Sequence, residues 1–295
     1  MGLVEGITEW LPVSSTGHMI LVDEFVKMNV SETFWNMFLV VIQLGAILAV
    51  CVLFFYDLNP FSPSKGKEGR RDTWVLWGKI VLGCIPAAAI GLPLNDWMEE
   101  HFYNAPVVAL ALIVYGVLFI VIENWRASKR EEMAVAGSFG SRAVVAGGRP
   151  AGAHFAAPAA ATAEDEDDDE NLDFGSIATL EDLSWKTALG IGCFQVLSVI
   201  PGTSRTVAAE FTFFLAIPVM FGASLLKLVQ FGFAFSSTEL IILIVGVVVS
   251  FVVSILAIKF LMGYIKKHDF KVFGWYRIIL GILVLGYFVG KTFLA

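Results

Sequence analysis

Five stretches of this chain run for about 20 residues each with almost no charge, the length at which an α-helix crosses roughly 30 Å of hydrocarbon. They are Phe34 to Tyr56, Trp74 to Leu94, Pro106 to Ile122, Leu240 to Leu261 and Phe273 to Leu294. A sixth, Thr206 to Phe233, carries only Glu210 and Lys227 and is read as spanning too. Inside hydrocarbon every backbone amide needs a partner within the protein, so such runs fold as helices. Composition agrees, with 57% of the 295 residues hydrophobic and only 16% charged, which describes a polytopic membrane protein and excludes a soluble domain.

Lys and Arg in short loops set the orientation. Lys65, Lys67, Arg70 and Arg71 crowd one loop, Arg126, Lys129 and Arg130 another, and Lys266, Lys267 and Lys271 a third, so these three are expected to be cytoplasmic. The loops between them, "NDWMEEH" at 95 to 101 and "SSTE" at 236 to 239, are acidic or neutral, as outside loops should be. Glu5 and Glu9 stand where a secretory leader would need a basic start and an unbroken apolar core, so the chain is expected to be inserted and not exported. Cys51, Cys84 and Cys193 sit singly in apolar runs without metal or redox spacing and read as small buried hydrophobes. Lys79, Lys259 and Arg277 fall near span ends, where snorkelling to water is expected.

The net charge of −7 comes from one place, because "EDEDDDE" at 164 to 170 and Asp173 leave the remainder near neutral. Nothing supports a nucleic-acid role. Residues 127–180 are rich in Ala, Gly and like charge without a sustained apolar period, which predicts a disordered cytoplasmic insertion. A docking tail or an adaptation to high salt is the functional alternative. The insertion separates a first membrane repeat, 1–126, from a second, 181–295.

Two segments do not fit as spans. Gly2 to Val22 and Trp185 to Arg205 are each apolar until they break at "LPVSST" and "IPGTSR". With Pro12 placed over Pro201, Leu11 falls on Ile200, Ser14 on Thr203 and Ser15 on Ser204, a weak internal repeat. The first copy precedes a span that begins outside and the second follows one that ends inside, so the copies enter from opposite faces. The expected fold class is therefore an all-α integral membrane protein with about six transmembrane helices and two broken, re-entrant segments in an inverted-topology repeat, whose breaks meet around one buried site.

Glu5 and Glu9 are four residues apart, so a helix there puts both carboxylates on one face. Repulsion in low dielectric is relieved by a proton, a shared divalent cation or a facing arginine; alternatively both acids sit in the wet interface. After Pro12, "VSSTGH" offers three hydroxyls, freed backbone N–H groups and His18, the makings of an anion site at a helix start. Ser15 and His18, three apart, could pair as nucleophile and base; the plainer reading is that Ser and Thr cap the following helix. In the second break Arg205 offers a guanidinium suited to bidentate phosphate binding.

The stretches "EGITEWLPVSSTGH" at 5 to 18 and "PGTSR" at 201 to 205 resemble the two signature motifs of the undecaprenyl-diphosphate phosphatase family of the bacitracin-resistance type. The similarity extends to "VIQLGAILAV" at 41 to 50, "AAEFTFFLAIPVMFGAS" at 208 to 224 and "YRIILGILVL" at 276 to 285. It implies a hydrolase of the cell membrane that takes the terminal phosphate from a polyprenyl diphosphate lipid, recycling the carrier for cell-wall glycan assembly, with its site open to the outer side. The family's functional residues correspond to Glu5, Glu9, Ser15, His18 and Arg205, with Ser14, Thr16, Gly202 and Ser204 close by as substrate contacts. In that picture Glu5 and Glu9 hold a divalent cation, Mg2+ or Ca2+, Arg205 clamps the diphosphate, and Ser15 with His18 attacks or positions the attacking group. A homodimer stays open.

Three departures from the family pattern stand out. The chain starts almost at Glu5, the cytoplasmic loop is long, and "PGTSR" runs straight into "TVAAEF" where the family has a Ser-Gly-rich apolar return segment ending in another Ser-Arg. Arg205 therefore aligns with either arginine, and impaired activity is expected. A lipid-carrier transporter or flippase is the alternative from another class, since inverted repeats serve transport as well. A nucleophile beside a base favours chemistry.

Overall fold

The computed structural model describes residues 1–102, 105–146, 179–193, 204–232 and 234–294, without side chains at a minority of these, Thr16, Arg205 and 95–102 among them. The described residues are helical with turns and no strand. In chain order the helices are α1 (Gly2–Thr8), α2 (Ser15–Phe25), α3 (Glu32–Val41), α4 (Gln43–Leu53), α5 (Phe55–Leu58), α6 (Lys67–Phe102), α7 (Ala105–Ala146), α8 (Trp185–Cys193), α9 (Arg205–Phe231), α10 (Ser237–Lys267) and α11 (Lys271–Leu294).

Five helical stretches among the described residues are long and apolar enough to cross a membrane: Glu32–Leu53, Pro106–Trp125, Thr206–Phe231, Ser237–Lys267 and Lys271–Lys291. The remaining expected span, 74–94, is helical throughout within α6, which carries Pro86 and Pro93 inside it. This is an all-α, multi-pass membrane protein. Residues 127–146, expected to be unstructured, continue α7 as helix; Ala, Glu, Met, Lys and Arg there are strong helix formers, and that local preference extends the span. The rest of the expected insertion, 147–178, lies outside the described residues.

Lipid gives apolar helices no hydrophobic reason to associate, so close packing through small residues has to do it. Glycines make the seams. A Cβ on Gly45 of α4 would stand 2.1 Å from the Val247 carbonyl oxygen of α10, and one on Gly2 or Gly6 of α1 would stand 2.6 or 2.8 Å from the Gly246 or Ser250 carbonyl. The Ser254 hydroxyl then donates to the Gly6 carbonyl at 3.3 Å, so a polar group buried in α10 is satisfied by α1. Gly192 of α8 rides as closely on Gly83 of α6, with 2.0 Å from the added Cβ to the carbonyl oxygen, and Gly116 and Gly281 join α7 to α11.

The packing pairs match when the halves are exchanged. Taking α1 with α8, α3–α4 with α9, α6 with α10 and α7 with α11, the contact of α1 on α10 has its counterpart in α8 on α6, and α4 on α10 in α9 on α6. The α7–α11 pair and the α3–α4 contact with α9 map onto themselves. α1 thus packs against α10, and α8 against α6.

Two expectations about charged side chains are corrected. Lys79 is only 5% exposed, and it does not snorkel; its Nζ donates to the Leu180 and Glu181 carbonyls at 3.5 and 3.2 Å, holding the start of the second repeat against α6. Arg277 is 9% exposed, with its guanidinium over the Phe119 ring at 5.0 Å, because Gly116 lets α11 approach α7 closely enough to cover it. Lys259 is exposed as expected.

The seam geometry sets a test. Gly45→Ala is expected to destabilise the protein by about 1–3 kcal/mol through backbone overlap with α10. Gly286→Ala, with nothing within 4 Å of the added methyl, should be neutral or slightly stabilising. Thermal unfolding in detergent reads both, and equal melting temperatures would refute the seam.

Candidate active site

The first break is built by three residues that refuse to continue a helix in different ways. α1 ends at Thr8 with Glu9 as its C-cap. Pro12 supplies no N–H, and the chain turns tightly, with the Val13 amide donating to the Leu11 carbonyl at 2.7 Å. Ser14 then sits at φ 70°, ψ 99°, the one non-glycine residue with positive φ among the described residues. That conformation costs about 1–3 kcal/mol and is typical of functional turns. Its hydroxyl accepts from the Gly17 amide at 3.4 Å, capping α2.

α9 also starts on a serine cap. Ser204 is the N-cap of α9, its hydroxyl accepting from the Val207 amide at 3.2 Å. Ser14 and Ser204 are therefore structural counterparts. The proline-based register, which set Ser15 on Ser204, is off by one, because one more residue separates Pro201 from its cap than separates Pro12. Capping is realised in both copies. Gly202 lies outside the described residues, and Arg205 opens α9, its side chain undescribed; Thr16 is placed only by its backbone in α2.

Packing carries the first break onto the second half. Trp10 is buried with its ring edge-on to Phe213 of α9, centroids 5.0 Å apart at 83°. Val13 and Val207, each just before or after a serine cap, belong to one buried cluster. The start of α9, which Arg205 opens, thus shares a core with the turn between Glu9 and Ser14.

Glu5 is only 1% exposed, and its Oε1 has no hydrogen-bond partner. Glu9, half-buried, follows one helical turn on. The wet-interface reading of Glu5 does not hold, since α10 covers α1. An orphaned buried carboxylate oxygen beside a second carboxyl is a donor set of hard oxygens, and such pairs suit Mg2+ or Ca2+, with water and phosphate completing the shell. Among the described residues no group of three or more His, Cys, Asp or Glu is placed to hold a metal ion.

His18 is held on both sides. Nδ1 lies 2.7 Å from the Ser14 carbonyl oxygen, and Nε2 lies 2.7 Å from the Tyr276 hydroxyl of α11. Neither contact reaches Ser15. Farther along α2, Glu24 accepts from the Tyr287 hydroxyl at 3.2 Å and pairs with Lys291, also on α11. The half-helix α2 is thus pinned to α11 at two levels by polar contacts.

The family model described as bacitracin resistance protein BacA matches residues 1–283. The chain belongs to this family. Among its relatives, the undecaprenyl-diphosphatase of Lactiplantibacillus plantarum is 50% identical across 98% of this chain and 95% of its own length. That of Acetivibrio thermocellus is 51% identical across 98% and 96%, and that of Enterococcus faecalis 48% identical across 98% and 95%. The match to the first spans 306 positions, more than the 295 residues here, so that BacA-family protein carries residues with no counterpart in this chain.

Reading the sequence missed two residues at this site. Tyr276 was seen only as part of a matching stretch, although a tyrosine within an apolar span asks for a partner for its hydroxyl. Trp10 was passed over inside the motif; its buried indole Nε1 also has no partner.

Ser14 separates backbone from hydroxyl. Ser14→Ala loses the cap, about 1 kcal/mol, and keeps a Cβ at positive φ, whereas Ser14→Gly loses a few tenths and releases strain of about 1 kcal/mol. The glycine variant is expected to melt above the alanine variant. The reverse order would show that no strain is stored there.

Proposed function

We propose that this protein removes the terminal phosphate of undecaprenyl diphosphate, at the outer side of the cell membrane. The observation that carries the reading is the buried Glu5 carboxyl, its Oε1 without a hydrogen-bond partner, one turn before Glu9 and directly ahead of the hydroxyl-bearing break. An unpaired acid in a membrane interior is costly and points to a ligand or an ion. The relatives named undecaprenyl-diphosphatase, about half identical over nearly the whole chain, supply the substrate class.

The overall change is the addition of water across the bridging P–O bond, giving the lipid monophosphate and inorganic phosphate. Glu5 and Glu9 would hold a divalent cation, Mg2+ or Ca2+, which supplies charge neutralisation for the diphosphate. The first amides of α2 lack partners within their helix, and with the Ser15 and Thr16 hydroxyls they form a donor face for phosphoryl oxygens. Arg205, at the start of α9, clamps the diphosphate from the second half, helped by Ser204 and Gly202. Ser15 attacks the terminal phosphorus or orients the water that does. His18 is the proton acceptor through Nε2 once the attacking group takes the place of the Tyr276 hydroxyl there, since Nδ1 is engaged with a carbonyl.

Phosphate release from C55 diphosphate in detergent, with and without chelator, tests this. The chain as it stands is expected to release phosphate, with loss on chelation and a fall of at least about 100-fold for Glu9→Gln, Ser15→Ala and Arg205→Ala. A version with the family's return segment restored after Arg205 reads the effect of the missing residues. Release by the restored version alone marks this chain as an impaired homologue; binding without release in both favours a lipid carrier.

A further inference from the structure

The loop after α5 closes an open cavity of about 290 Å3 against α6 and residues 180 and 181. Two lysines and three carboxylates line it. Lys65 and Lys79 are each nine-tenths or more buried. The Lys65 Nζ donates to the Asp57 carbonyl at 3.1 Å and the Thr73 hydroxyl at 2.6 Å, and it lies over the Tyr56 ring at 4.8 Å. The Lys79 Nζ donates to the Leu180 and Glu181 carbonyls. An ammonium carries three hydrogens and a full charge, yet every oxygen these two reach is neutral. Neither is in an ion pair with a carboxylate among the described residues.

The carboxylates of Asp57, Asp72 and Glu181 are exposed, so the cavity has buried cations and an acidic rim. Along α6, Lys79 follows Asp72 by seven residues and lies about 10 Å farther into the membrane at 1.5 Å per residue. Tyr56 on the wall and Trp74, between the lining residues Thr73 and Val75, are exposed aromatic side chains of the kind that sit at the level of lipid headgroups. Basic pockets between helices at that level take phosphate heads. An anionic head would face three carboxylates, and inorganic phosphate would answer only the lysines. A phosphate deep and an ammonium outermost match the order of charges on the wall.

We propose that this cavity binds a phospholipid whose head carries a primary ammonium, with its phosphate against Lys65 and Lys79 and its ammonium among Asp57, Asp72 and Glu181. The phosphate supplies the negative charge that the two buried lysines lack, and the ammonium donates to the rim, which a quaternary nitrogen cannot do. Such a lipid binds whether or not the protein hydrolyses a diphosphate. Lys67, Arg70 and Arg71 are exposed on the first turns of α6 and attract any anionic lipid without choosing among heads. Selection of an ammonium-bearing head over an anionic one therefore has to come from the cavity.

The test is native mass spectrometry of the full chain, delipidated in detergent and offered phosphatidylethanolamine, phosphatidylglycerol and phosphatidylcholine in equal amounts, with inorganic phosphate as a competitor in a separate arm. The unmodified protein should retain phosphatidylethanolamine about fivefold over the other two lipids. Lys79→Met should lose that retention, but Lys79 also holds residues 180 and 181, so the deciding variant is on the exposed rim. The triple variant Asp57→Asn, Asp72→Asn and Glu181→Gln keeps both lysines and should bind phosphatidylglycerol at least as well as phosphatidylethanolamine. Equal retention of the three lipids, preference for phosphatidylglycerol or phosphatidylcholine by the unmodified protein, or a triple variant that still selects phosphatidylethanolamine would each overturn the site. Displacement of phosphatidylethanolamine by an equal concentration of inorganic phosphate would make free phosphate the ligand and overturn the headgroup assignment.

Discussion

A helix that stops inside hydrocarbon leaves amides and carbonyls that no water reaches, and everything else at this site follows from how they are satisfied. Ser14 and Ser204 answer the demand at the two starts, each hydroxyl accepting from the amide three residues on. The Ser14 carbonyl, turned by positive φ, is taken by His18. Ser254 of α10 covers a carbonyl of α1. Two of the buried polar atoms left without a partner among the described residues, the Glu5 Oε1 and the Trp10 Nε1, lie next to the break; the others are the Ser250 Oγ of α10 and the Arg277 Nε of α11.

The exchange of partners between halves explains why these groups end up together. The glycine face of α1 fits α10, its most extensive contact, and α8 in turn fits α6. Each broken segment is therefore clamped by the opposite repeat. Substituting a single glycine on such a seam moves a polar segment at membrane depth, where a shifted hydrogen bond has no water to replace it.

Much of this was legible in the residues. The uncharged runs locate the crossing helices because hydrocarbon tolerates little else. Pro12 and the hydroxyls after it mark the break, and the four-residue spacing of Glu5 and Glu9 places them on one face. Other features were not legible. Lys79 and Arg277 look like residues at span ends, yet loop carbonyls and a phenyl ring bury them. The register of the two breaks differs by one residue from the proline alignment, because the cap is chosen by geometry after the turn and not by distance from the proline.

The sequence by itself determined the class of protein, the number of long apolar runs, the location of the polar break and its family, all properties of local composition and spacing. Only the tertiary structure decided that α1, which carries the buried Glu5, lies against α10, that Trp10 lies on Phe213, and that His18 is held by Tyr276. These contacts join residues more than two hundred positions apart. Their formation depends on which glycine faces meet across the bilayer, and no local pattern records that choice.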